Sequence, residues 1–260
     1  MKLTDAHIHL SDPEYTAHIE DLILDAKNSG VKALVSNAMD YETSINALRL
    51  AEKYPDIVYA ALGIHPWNVN VLKESELEET ITLITEQAAK GNVIAVGEIG
   101  LDCKYEKIWE KQLMVFEQML RLAEKLTLPV IVHSRGTTTQ IVQMLPSFNL
   151  KRVLLHWFSY PLSALSAAIS HGYFVTEGPP AVYSNGIREV IAQVPLKNLL
   201  TETDGPVKYW KPPFKGQLTK PSFIYNVVKA VAEIKKTCVE EVADQIAQNF
   251  EEFFEVKLAF

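Results

Sequence analysis

Residues 92–135 read NVIAVGEIGLDCKYEKIWEKQLMVFEQMLRLAEKLTLPVIVHSR, and this stretch decides the fold. It opens on NVIAVGEIG, a short apolar run of strand length. In its middle, KQLMVFEQMLRLAEKL places Leu113, Phe116, Leu120 and Ala123 on one helical face, at spacings of three and four. It closes on a second apolar run, LPVIVHSR. Both runs are apolar almost throughout, as in strands of a parallel sheet covered on both faces. Strand, amphipathic helix and strand follow one another, and each strand ends on a polar residue, Glu98 in the first and His133 in the second.

The same alternation extends in both directions. Upstream lie the runs LTDAHIHL from Leu3, VKALVSNA from Val31 and IVYAALGIH from Ile57. Downstream lie RVLLHWF from Arg152, GYFVTEG from Gly172 and NLLTETDGP from Asn198. Helical patterns separate them at 45–53, 77–90, 141–145, 162–170 and 187–193. DLILDAKNSG ends in Gly30, placed as a helix C-cap. Two further helices are expected after Pro221, through VVKAVAEIKK and VEEVADQIAQNF. Eight strands each followed by a helix predict a (β/α)8 TIM-type barrel spanning residues 1–260 as one domain. A doubly wound open sheet is the alternative. No internal repeat or low-complexity segment divides the chain, and the Pro-rich KYWKPPFKGQLTKP reads as a long loop.

In a barrel the C-terminal strand ends converge on one face. Residues able to bind a metal collect there. In TDAHIHL, residues two apart share a strand face, so Asp5, His7 and His9 point the same way. Glu98, His133, His156 and Asp204 stand at the ends of the fourth, fifth, sixth and eighth strands. One histidine after an apolar run is ordinarily a core or rim residue. Four histidines and two carboxylates on one rim are costly to bury unpaired, and a divalent cation removes that cost. His7, His9 and Asp204 are expected to hold one ion, His133 and His156 a second, with Glu98 bridging. Ions about 3.5–4 Å apart activate a water and stabilise both the attacking and the leaving oxygen, which suits phosphate esters. Asp204 is the candidate general base. A single-ion site is the alternative, and the residues leave Mg, Mn, Zn, Co and Ni open.

Composition bounds the setting. The chain has 260 residues, 48% of them hydrophobic, a net charge of −7 and a pI near 5.6. It is not basic all over, although a local basic patch is compatible with these totals. Its two cysteines, Cys103 and Cys238, form no CxxC motif and suit a reducing compartment. The first ten residues lack an apolar signal core, and no apolar run approaches the roughly 18 residues of a membrane span. A cytoplasmic protein that does not enter membranes is expected. In the loop after Asp204, Lys208, Lys211, Lys215 and Lys220 alternate with Tyr209, Trp210 and Phe214. Lysines can pair with phosphates and rings can stack on unpaired bases; equally, the rings can cover the barrel rim.

The motifs DAHIHL, GIHP, VGEIGLD, VIVHSR, HWFS and ETDGP, in this order, resemble the TatD family of metal-dependent hydrolases. The resemblance runs from Thr4 to about Phe254. It implies a barrel of the amidohydrolase superfamily and a Mg- or Mn-dependent deoxyribonuclease, typically a 3′–5′ exonuclease acting on DNA 3′ ends. It also implies metal ligation by His7, His9, Glu98, His133, His156 and Asp204, with Glu98 at the bridging position in place of a carbamylated lysine. His65 of GIHP is a candidate for hydrogen-bonding a scissile phosphate, or a rim histidine. Arg135 is a phosphate ligand or one half of an ion pair. Asp5 orients an imidazole or points into the barrel base. Asp102 and Glu202 read as structural, and His18 and His171 as surface residues. The chain departs from the family pattern at Gly136, Trp157 and Gly205, and at FVTEGPPAVY, where Glu177 adds a negative charge near the substrate. These departures concern the pocket wall. They leave open a hydrolase acting on another ester, a lactone, an amide or an aminoacyl-tRNA linkage. A non-catalytic binding module fits a complete ligand set less well.

Overall fold

Each apolar run forms a strand in the computed structural model, whose described residues are 1–258. The strands are β1 (Leu3–Ile8), β2 (Val31–Asn37), β3 (Val58–Leu62), β4 (Ala95–Gly100), β5 (Val130–His133), β6 (Val153–Leu155), β7 (Phe174–Glu177) and β8 (Leu199–Thr201). Each pairs in parallel with the next, in sequence order. One helix fills each crossover: α1 (Ile19–Ser29), α2 (Tyr41–Lys53), α3 (Glu74–Ala89), α4 (Trp109–Leu126), α5 (Thr138–Met144), α6 (Leu162–Ser170) and α7 (Asn185–Gln193). Helices α8 (Phe223–Lys235) and α9 (Val239–Phe254) follow β8.

β8 meets β1 at a hydrogen-bonded seam, which makes the sheet a barrel and not an open doubly wound sheet. The Asp204 N–H donates to the His7 carbonyl at 2.9 Å, and the His9 N–H to the Gly205 carbonyl at 2.8 Å. The Thr201 hydroxyl donates to the Thr4 carbonyl at 2.7 Å. Asp5 completes the seam. Its carboxyl accepts from the Thr203 N–H at 3.0 Å, the Thr203 hydroxyl at 2.5 Å and the His7 N–H at 3.3 Å. Asp5 therefore orients backbone, not an imidazole ring.

β1 and β4 are buried along their whole length, as strands with a helix layer outside and a packed interior must be. α4 turns Phe116, Leu120 and Ala123 inward as its spacing predicts, and Val115, Met119 and Leu122 widen that apolar face. α1 stops at Gly30, whose φ of 81° and N–H bonds to the Ala26 and Lys27 carbonyls close the last turn. Two departures from the family pattern have steric causes. A Cβ at Gly205 would land on the hydroxyl of buried Tyr15, and one at Gly136 on the Cys103 sulfur.

The loop after β8 differs from a row of stacking platforms. Tyr209 and Phe214 are buried in a small cluster with Phe223, and of the three loop rings Trp210 alone is exposed. Lys208 pairs with Glu14 at 2.8 Å and Lys220 with Asp25 at 3.4 Å, while Lys211 lies over the Tyr183 and Trp210 rings. With two of its three rings turned inward and Lys208 and Lys220 ion-paired, this segment covers the rim, and Trp210 stays outside. No helix among the described residues is long and apolar enough to cross a membrane.

Burial pushes the Asp5 carboxyl up to about 8. Its folded-state pKa thus exceeds the unfolded value of about 4. The stability it contributes is fully present below that unfolded value and is lost as pH rises through about 8. Asp5→Ala, which strands the Thr203 and His7 N–H groups, is expected to cost about 3 kcal/mol in urea unfolding at pH 6. Asp5→Asn, a mimic of the neutral carboxyl, is expected to cost about 1 kcal/mol or less and to flatten the decline of stability between pH 5 and 8. Equal losses in both variants would contradict a neutral Asp5.

Candidate metal centre

β1 carries His7 and brings His9 just past its end, β4 carries Glu98, and β5 ends on His133. His156 follows β6 directly, and Asp204 lies in the turn after β8. The structure therefore brings all six sequence-predicted residues to one mouth of the barrel. Asp204 holds a φ of 47°, a left-handed conformation that Asp tolerates better than most residues. Its N–H is fixed by the seam bond to His7, so its carboxylate is turned back over β1.

Glu98 is the centre of the cluster and is 1% exposed. Its Oε2 lies 3.2 Å from His7 Nε2 and 3.3 Å from His9 Nε2. Its Oε1 lies 2.8 Å from both His133 Nδ1 and His156 Nε2, and 3.2 Å from His65 Nε2. Asp204 Oδ1 sits 3.4 Å from His7 Nε2 and 3.6 Å from His9 Nε2. Ligand-type atoms of His7, His9 and Asp204 lie within 4.8 Å of one another, as do those of His7, Glu98 and His156, and those of His65, Glu98 and His133.

The outer nitrogens show which lone pairs face inward. His9 Nδ1 meets the Asn37 carbonyl at 3.0 Å, which places its proton there and frees Nε2. His133 Nε2 meets Asp102 at 3.0 Å, which frees Nδ1. His156 Nδ1 lies 3.5 Å from Glu202. Carboxylates and carbonyls behind ligating imidazoles commonly fix them in this way. His65 is turned the other way round. Its Nδ1 accepts the Trp67 N–H at 3.1 Å, so the proton of the neutral ring sits on Nε2 and points at the cluster. Burial holds His65 down at about 4, which keeps the ring neutral.

Charge is balanced by imidazoles. Burial opposes ionisation of Glu98, but His65, His156 and His7 around it hold its carboxyl well below the usual range. Burial likewise opposes charge on His9, but hydrogen bonds to Asp204 and Glu98 lift it to about 10. His156 is raised well above its ordinary value by Glu98 and Glu202 against its burial, whereas burial lowers His7. The cluster thus holds protons between anions, where a divalent cation would take their place. With inward lone pairs on His9 and His133 and two carboxylates, the donor set fits such an ion.

Sequence reasoning missed what surrounds the cluster. Asp102, read as structural, accepts from Trp67 Nε1 at 2.5 Å, from His133 at 3.0 Å and from the Lys104 N–H at 2.9 Å. Arg135 grips the same carboxylate through Nε at 3.1 Å and Nη2 at 2.8 Å. These donors keep Asp102 ionised against its burial. The signal available was its place just past Glu98 in VGEIGLD, but only the register of β4 against β5 shows which ring it faces. Glu177 is a correction. It is fully buried, neither carboxyl oxygen has a hydrogen bond, and burial followed by the Glu202 charge raises its pKa well above normal. It is neutral and absent from the cavity lining, so it adds no negative charge beside a substrate. The cavity over the cluster, about 940 Å³, is walled by Met39, Trp67, Arg135, Trp157, Tyr160 and Val207.

A (β/α)8 barrel with a buried histidine–carboxylate cluster at the C-terminal mouth defines a metal-dependent hydrolase. The chain belongs to the TatD-related DNase family, whose model matches residues 4–255. It is 31% identical to the metal-dependent hydrolase YabD of Bacillus subtilis, over 98% of this chain and 99% of that one. It is 30% identical to human deoxyribonuclease TATDN3, over 95% of this chain and 92% of that one. The crystal structure of YjjV, a TatD homologue from Escherichia coli K12, superposes with a TM-score of 0.91 at 31% identity and covers 98% of both chains.

Metal uptake must displace protons from the cluster. Calorimetric titration of Mn²⁺ into chelator-treated protein at pH 7, in two buffers of different ionisation enthalpy, is expected to show at least about one proton released per chain and tighter binding as pH rises. Binding without proton release would contradict the charged state of His9 and His156.

Proposed function

We propose that this hydrolase cleaves phosphodiester bonds at DNA 3′ ends, as a 3′–5′ exonuclease using two divalent ions. The observation that carries the reading is the placement of Glu98, with one carboxylate oxygen facing His7 and His9 and the other facing His133 and His156. In this reading His7, His9 and Asp204 would hold one ion and His133 and His156 the other, with Glu98 shared between them. Bound there, divalent ions such as Mg, Mn, Zn, Co or Ni would supply Lewis acidity, easing deprotonation of a water and balancing charge on the ester oxygens.

The chain's own residues do the rest. Asp204, held over His7 and His9 by its backbone bond, accepts the proton of the attacking water. Neutral His65 presents its Nε2 proton toward the centre, where a scissile phosphate oxygen can accept it. Arg135 is fixed by Asp102 through Nε and Nη2, which leaves Nη1 for a phosphate. The loop lysines are largely committed to Glu14, Asp25 and ring faces. Contact with DNA is therefore confined to a strand end in the cavity, which suits an acidic protein. The TATDN3 name supports the nuclease reading by relation only. The apolar wall of Met39, Trp157, Tyr160 and Val207 favours a second reading, a non-nucleic ester or aminoacyl-tRNA linkage.

Metal-reconstituted protein is expected to shorten end-labelled DNA stepwise from the 3′ end. Glu98→Ala and Asp204→Asn are each expected to slow this by about 10²–10⁴-fold. No cleavage with Mg²⁺, Mn²⁺, Co²⁺ or Zn²⁺, together with turnover of a carboxylic ester, would replace the first reading with the second.

A further inference from the structure

One wall of the cavity is built unlike the rest. The Trp67 ring is 40% exposed, yet its indole nitrogen is pinned to buried Asp102 at 2.5 Å. The ring stands edge-on to His65, with centroids 4.8 Å apart, and edge-on to His133 at 6.1 Å. The Arg135 guanidinium lies over one face of the Trp67 ring, 5.2 Å from its centroid, and is held by the same Asp102 carboxylate, while the Tyr105 ring lies tilted beside Trp67 at 6.3 Å. Here one carboxylate fixes the indole edge and the guanidinium plane together, and the surface they form borders the cluster.

We propose that Trp67 and Arg135 form a subsite for one planar aromatic group carried beside the scissile ester, a nucleobase in the nuclease reading, with Asp102 as the positioning residue. The proposal rests on the cavity being the substrate site and goes beyond it by naming what one wall recognises. Three features favour a planar ring with an anionic neighbour over a plain apolar group. Stacking on an aromatic face tolerates any base. A guanidinium stacks on planar rings and also takes anions through its free edge. Arg135 Nη1 has no hydrogen-bonding partner among the described residues. The other exposed tryptophan, Trp210, is 70% exposed but lies outside the cavity lining, and Tyr209 and Phe214 are buried. The other large rings that line the cavity are Trp157 and Tyr160.

The test compares binding of dAMP with binding of 2-deoxyribose 5-phosphate, which has the same sugar and phosphate but no base. Calorimetry on the chelator-treated protein separates binding from turnover. The wild-type protein is expected to prefer dAMP by about 5- to 100-fold. Trp67→Phe, which keeps a stacking face but loses the bond to Asp102, is expected to retain part of that preference, and Trp67→Leu to reduce it to within about 2-fold. Asp102→Asn, which loosens both Trp67 and Arg135, is expected to lower the affinity for dAMP and for 2-deoxyribose 5-phosphate alike and to reduce the preference between them. Equal affinities in wild type, or an undiminished preference in Trp67→Leu, would overturn the subsite. A base preference in a protein that cleaves no DNA would retain the subsite and remove the nuclease reading.

Discussion

Everything at the barrel mouth is arranged around one buried anion. Glu98 is withdrawn from water, and a carboxylate in that position is expensive unless positive charge surrounds it. Five imidazoles approach it within 3.3 Å, and His9, His133 and His156, each raised above its ordinary pKa, supply the positive charge while His65 stays neutral. No local segment can supply that company. It exists because a closed barrel brings the ends of distant strands within a side chain's reach, and the seam between β8 and β1 adds Asp204 to the same group.

The orientation of the cluster depends on groups one layer out. Asn37 and Asp102 take the outer protons of His9 and His133, so their inner nitrogens face Glu98, donating to it while protonated and freed for a metal ion once that proton leaves. His65, with its tautomer set by the Trp67 backbone, presents a proton where these two, once neutral, present lone pairs. One ring type thus has two roles, separated by which nitrogen a neighbour occupies. Asp102 serves the cluster through His133 and the cavity wall through Trp67 and Arg135. The cluster and this part of the cavity wall therefore share one anchor.

The barrel was legible in the sequence because each strand announces itself twice, as an apolar run of strand length and as a polar residue at its end. His7, His9, Glu98, His133, His156 and Asp204 stood out for that reason, and the structure places them together. The surroundings were not legible, because they depend on registers between strands and on burial. Asp102 looked like any carboxylate after a strand. Its role comes from the β4–β5 pairing that sets it against His133. Glu177 looked like a charge near the substrate, but burial without a partner keeps it neutral. The alternating lysines and rings of 208–220 could be written for a binding surface or a rim cover. The packing of Tyr209 and Phe214 against Phe223 decides for the cover.

The central claim is that the two oxygens of Glu98 serve two separate ions. Anomalous diffraction from crystals of the Mn²⁺-loaded protein tests it most directly. Two peaks about 3.5–4 Å apart are expected, one beside His7, His9 and Asp204 and the other beside His133 and His156, with Glu98 between them. A single peak on one side of Glu98, or peaks that leave Glu98 out of contact, would contradict the bridging role and the two-ion centre with it.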